Sequence, residues 1–102
     1  MTITAWLDAR APAPPAALRR RIDELIEEPD RTGDPAATCL EAAERALGQL
    51  VRGGDAGRAA ALDLLAIDAL VTYAFEAAAD DPATIASRAM DAMARLSRVA
   101  AL

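Results

Sequence analysis

The sequence predicts an all-α protein, a small four-helix bundle preceded by a short N-terminal helical arm. Alanine has the highest helix propensity of the amino acids, and it supplies 28 of the 102 residues. Apolar residues recur at helical spacing in four segments that are bounded by proline or glycine. No segment of the sequence alternates apolar and polar residues in the way that is typical of a half-buried strand.

The N-terminal arm is predicted as a short helix over residues 2–10. Thr4 is its expected N-cap, and Trp6 and Leu7 give it an apolar side. Residues 11–15 hold three prolines and cannot continue a helix, so we expect a stiff polyproline II spacer.

The first bundle helix is predicted over residues 15–28. Pro15 suits a first turn and Pro29 prevents continuation. Glu27 and Glu28 then fall in the last turn, where they oppose the helix dipole. The apolar face consists of Leu18, Ile22, Leu25 and Ile26.

The second helix is predicted over residues 34–52. Asp34 is its N-cap and the glycine pair that ends with Gly54 stops it. Glu41 is expected to pair with Arg45 one turn later.

The third helix is predicted over residues 56–79, with Asp55 as N-cap, and the fourth over residues 81–100. The third is the most apolar, and we expect it to be the buried central helix. Its three acidic residues argue against a membrane span, because each would cost up to about 3 kcal/mol near the bilayer centre. The chain then divides into an arm and proline-rich spacer over 1–14 and a bundle domain over 15–102.

The composition excludes several chemistries. The chain has no His, no Lys and one Cys, so no Ser-His-Asp triad, His-ligated zinc or internal disulfide can form. The net charge of -5 disfavours nucleic-acid binding. Cys39 lies on an apolar helix face and is predicted to be a core thiol. We expect no catalytic residue, cofactor or metal, and a cytoplasmic location, because a single thiol suits a reducing compartment and no signal peptide is visible.

Asp63 is a candidate buried polar site. At 100° per residue, Asp68, Thr72 and Glu76 share one helix face, whereas Asp63 falls about 140° from Asp68 on the apolar side. A buried, unpaired carboxylate is expensive. Asp63 is therefore a perturbed acid or ligand anchor, pairs with an arginine, or is exposed near the start of its helix.

These observations predict a non-enzymatic helical module for protein interaction or assembly. We expect self-association as a homodimer, with a heterologous protein partner as a further option. The arm either folds back onto its own bundle or docks onto another chain, since tryptophan is a common interface anchor. The candidate contact residues are Trp6, Leu7, Tyr73, Phe75, Met90 and Met93.

The alternative function is a small-molecule-binding bundle or small enzyme. Its pocket would lie beside the third helix. The polar groups of that pocket would be Asp63, Asp68, Tyr73 and Glu76.

Overall fold

The computed structural model describes residues 1–54 and 57–101 of the chain, and within them the protein is all-α, as predicted. In that part, extended structure is limited to an isolated bridge between Thr2 and Thr32. The predicted N-cap Asp55 lies outside the described residues. The helices are α1 (Ile3–Asp8), α2 (Ala16–Leu25), α3 (Pro35–Gly53), α4 (Arg58–Ala78) and α5 (Ile85–Ala100), with a 3₁₀ turn (Pro82–Thr84) before α5.

Helix α3 has the most buried residues, and the prediction that the third bundle helix would be buried in the centre holds only in part, since α4 packs against α2, α3 and α5 but leaves one side exposed. The most extensive helix contact in the fold joins α3 to α4, and α3 also packs against α5 and, less extensively, against α1 and α2. Helix α4 buries one side only, through residues such as Ala66, Ile67 and Leu70. Its sequence is apolar around most of its circumference, but its neighbours leave the opposite side in solvent.

The N-terminal arm belongs to the same core as the bundle. Its N-cap is Thr2, whose hydroxyl accepts a hydrogen bond from the Ala5 N–H at 3.1 Å. Thr4, the predicted N-cap, lies one residue inside α1, and its hydroxyl donates to the Pro29 carbonyl at 2.9 Å. The arm thus folds back onto its own chain, where it buries Ile3, Trp6 and Leu7.

Helix α2 ends at Leu25, earlier than predicted. Ile26 leaves the helix with φ -83° and ψ 104°, which places its side chain in the core. The carbonyl of Leu25 is satisfied by a hydrogen bond of 2.8 Å from the Arg45 guanidinium. Glu27 and Glu28 lie beyond the helix, so their predicted conflict with its dipole does not arise.

Helix α3 begins and ends as its sequence predicts. The Asp34 carboxylate accepts a first-turn N–H at 3.1 Å, and Gly54 ends the helix with a φ of 63°. The predicted pair of Glu41 with Arg45 does not form. Glu41 pairs instead with Arg31 in the preceding loop, because Arg45 is turned towards the end of α2.

Helix α5 is the least buried of the long helices. Its single buried residue in the described part of the chain is Ala92. Asp81, the expected start of this helix, instead precedes the 3₁₀ turn and makes no side-chain cap. Ion pairs hold the helix to α3, from Arg88 to Asp34 at 3.0 Å and from Arg95 to Glu44 at 2.8 Å.

Candidate interaction surface

Four large apolar side chains on α4 and α5 are exposed over more than half of their surface. The exposed fractions are 52% for Leu64, 57% for Leu65, 74% for Met90 and 65% for Met93. Single exposed apolar residues are ordinary on soluble proteins. Four such residues on two helices mark candidate interaction faces, one on α4 and one on α5.

The outer face of α5 is an uncharged strip. It follows helical spacing along the whole helix, and every member is exposed. A solvated helix face usually carries charged residues, and this one carries none. Its members are Ala86, Met90, Met93, Ala94 and Ser97.

The outer face of α4 is apolar at one end and polar at the other. Leu64 and Leu65 are followed one turn later by the exposed Asp68. The Thr72 hydroxyl donates to the backbone carbonyl of Asp68 at 2.9 Å. A partner that covered this face would therefore have to desolvate a carboxylate.

Trp6 and Leu7 are not available to a partner, which corrects the prediction that they are contact residues. They are exposed by only 8% and 3%. The Trp6 ring packs edge-on against Tyr73 with 6.1 Å between ring centroids, and the Arg10 guanidinium lies 4.0 Å above it. Backbone hydrogen bonds, such as that from the Ile3 N–H to the Arg31 carbonyl at 2.8 Å, hold the arm against its own body.

The other four predicted contact residues divide into two pairs. Tyr73 and Phe75 are partly buried and pack against the core. Burial raises the pKa of the Tyr73 phenol, and the nearby Glu76 carboxylate adds to this rise. Met90 and Met93 alone among the six predicted residues lie in solvent to more than half of their surface.

Asp63 is neither buried nor unpaired. Its carboxylate accepts a hydrogen bond of 2.6 Å from the Arg21 guanidinium, and its side chain is 27% exposed. Arg21 also pairs with Glu24 at 2.8 Å. Hydrogen bonds to these two carboxylates raise the pKa of Arg21. Of the explanations that the sequence left open for Asp63, the arginine partner is the one observed.

A groove of about 210 Å³ lies where α3, α4 and α5 meet. Four charged groups stand at it, and two of them are joined in the Arg88–Asp34 ion pair. None of the polar residues predicted for a pocket beside the third bundle helix lines it. Its lining consists of Asp34, Ala36, Ala37, Leu40, Val71, Ala74, Phe75, Ala78, Arg88, Asp91, Ala92 and Arg95.

The single thiol lies inside the protein. Cys39 is fully buried, and burial together with the Asp34 charge raises its pKa to about 12, so its reactive thiolate form is scarce. Within residues 1–54 and 57–101, no group of three or more thiol and carboxylate side chains is arranged to hold a metal ion. Among the described helices, none has both the length and the hydropathy needed to cross a bilayer.

Sequence reasoning found the two methionines of the surface but missed most of its other members. It named none of Ala86, Ala94 and Ser97. A signal was present, because the charged residues of α5 occupy one side of the helix and leave a second uncharged strip. On α4 the signal was the polar line of Asp68, Thr72 and Glu76, which Leu64 continues one turn earlier.

Comparisons of this chain with protein-family models, with curated proteins and with solved structures gave no match. The surface is therefore interpreted from its own chemistry.

Proposed function

We propose that this protein is a non-enzymatic helical module that works by binding protein, and that it binds a second copy of itself as a homodimer. The observation that carries the proposal is the exposure of Leu64, Leu65, Met90 and Met93. Removing apolar surface from water favours association.

The small side chains of the core support the same proposal. Nine of the 19 buried apolar residues in the described part of the chain are alanines. Alanine buries little surface, and a chain of this size has a modest core in any case. Association would add burial that the monomer lacks. A reducing cytoplasmic location fits the unpaired, buried thiol of Cys39.

The small-molecule alternative has weaker support. The groove between α3, α4 and α5 measures about 210 Å³, which is below the range of roughly 300–1,000 Å³ that is usual for ligand pockets. Its arginines already have carboxylate partners, Asp34 for Arg88 and Glu44 for Arg95. A heterologous protein partner would use the same exposed residues as a second copy.

The solution mass tests the proposal. Light scattering after size exclusion, over a wide range of protein concentration, is expected to give a dimer of twice the 10.6 kDa chain mass. Replacing the four exposed apolar residues together by serine should return the chain to a monomer with unchanged helicity. A wild-type monomer at every concentration would contradict the proposal.

A further inference from the structure

The outer face of α5 has the spacing of a helix-pairing seam. Ala86, Met90, Met93 and Ser97 follow one another at intervals of four, three and four residues, which is the spacing that keeps one side of a helix against a partner helix. The inner side of α5 already meets α3 and the end of α4. This helix therefore has two packing faces, and one of them is uncovered in the single chain.

We propose that the outer face of α5 pairs antiparallel with the same face of α5 in a second copy, about a twofold axis that passes between residues 94 and 95. The inference rests on the proposed self-association and specifies its surface and geometry. Met90 would then lie level with the turn between Ser97 and Ala101 of the second copy. Met93 would lie level with the turn between Ala94 and Ser97 of that copy. Large side chains thus meet small ones, which lets the helices approach closely.

The charged residues beside this face would complement those of a second copy. Asp91 follows Met90 and Arg98 follows Ser97, so both charged residues lie on the same flank. They are two helical turns apart, about 10 Å along the helix. In an antiparallel pair related by a twofold axis, each flank meets the same flank of the other copy. Asp91 then lies level with Arg98 of the second copy, and the symmetry forms this pair twice.

Both charged groups are available for such pairing. Asp91 stands at the edge of the groove and pairs with Arg95 of its own helix at 3.7 Å, but 67% of its side chain remains exposed. Arg98 is exposed, and it has no carboxylate within ion-pair distance among residues 1–54 and 57–101. The outer face of α4 differs, because it carries Asp68 one turn after Leu64, so a second copy there would bury a carboxylate that the uncharged strip of α5 does not have.

The solvent-exposed area of the single chain is larger than expected for its mass. The chain exposes 6109 Å², whereas a compact monomer of 10.6 kDa exposes about 5,500 Å². The chain thus exposes about 600 Å² more than a compact monomer of its mass, as expected where helix faces are left uncovered.

Charge exchange between the two flanking positions tests the pairing. Asp91→Arg alone places like charges opposite each other at both pairs, and so does Arg98→Asp alone. Each variant by itself is expected to raise the dimer dissociation constant at least about tenfold. In an equal mixture of the two variants, every pair again joins opposite charges, so sedimentation or light scattering should detect a dimer close to wild-type affinity.

Two matched variants, each replacing one exposed apolar residue by aspartate, locate the dimer surface independently. Met93→Asp on α5 should abolish the dimer, and Leu65→Asp on α4, at a similarly exposed position, should leave it intact. Circular dichroism should show unchanged helicity in all four variants, because all four positions lie in solvent.

The outcomes separate the two proposals. A wild-type dimer that both charge variants leave unchanged, or a mixture that fails to restore association, overturns the antiparallel α5 pairing and leaves self-association standing. Loss of the dimer in Leu65→Asp, together with its retention in Met93→Asp, would also overturn the α5 pairing and leave self-association standing. A wild-type chain that is monomeric throughout overturns both proposals.

Discussion

The indole of Trp6 joins the arm to the bundle. It packs edge-on against Tyr73 of α4 and lies beneath the guanidinium of Arg10. Tryptophan brings more apolar area than any other side chain, and this chain has only one. The arm is therefore part of the hydrophobic core, so the sole tryptophan contributes to folding, and a partner cannot use it.

Trp6→Ala is expected to lower the free energy of unfolding by about 3–5 kcal/mol, as large aromatic deletions in a core do. Chemical denaturation followed by circular dichroism measures the loss. Trp6→Phe is the matched control, and it should lose less because an aromatic ring still packs against Tyr73. A loss below about 1 kcal/mol for the alanine variant would show that the arm does not share the core.

Asp34 acts on two elements at once. Its carboxylate caps α3 through a first-turn N–H at 3.1 Å and also pairs with Arg88 of α5 at 3.0 Å. The two contacts differ in strength. A cap satisfies a backbone donor that the helix itself cannot satisfy, whereas a largely exposed ion pair contributes little.

Asp34→Ala should therefore destabilise the protein by about 1 kcal/mol through loss of the cap. Asp34→Asn should cost only a few tenths of a kcal/mol, because the asparagine oxygen still accepts the N–H and only the charge on Arg88 loses its partner. Urea midpoints at an unchanged slope provide the measurement. Equal losses in the two variants would assign the effect to the ion pair.

The whole molecule responds to acid through its carboxylates, because it contains no His. The guanidinium of Arg31, which donates to the carboxylate of Glu41, lowers the pKa of that carboxyl below its ordinary value of 4.5. The folded state therefore binds this proton less tightly than the unfolded state. The stabilisation is present above the ordinary pKa and is lost as the pH falls through the lowered one.

We expect thermal unfolding midpoints that are flat between about pH 6 and 8 and fall steadily below the ordinary carboxyl pKa. At low pH the 11 arginines keep their charge while the carboxylates lose theirs, which adds self-repulsion. Glu41→Gln should make the fall below pH 5 less steep. A steep change between pH 6 and 8 would contradict the assignment.

The helix ends that the sequence predicted correctly are those with a local physical cause. Asp34 followed by proline begins α3, and Gly54 adopts the left-handed conformation that ends it. The end of α2 had no local signal. Ile26 leaves the helix because its side chain is buried in the core and because Arg45, 20 residues away, satisfies the Leu25 carbonyl.

The all-α class, the long helices and the exclusion of histidine chemistry and of an internal disulfide follow from the sequence alone, because helix propensity, caps and composition act locally. The burial of Trp6, the pairing of Asp63 with Arg21 and the exposure of Leu65 depend on tertiary packing. On a mostly apolar helix such as α4, the few polar residues are the main sequence signal of the side that stays in solvent. Which side is covered depends on contacts between residues far apart in the chain, since α3 packs against both α4 and α5 and leaves one face of each uncovered.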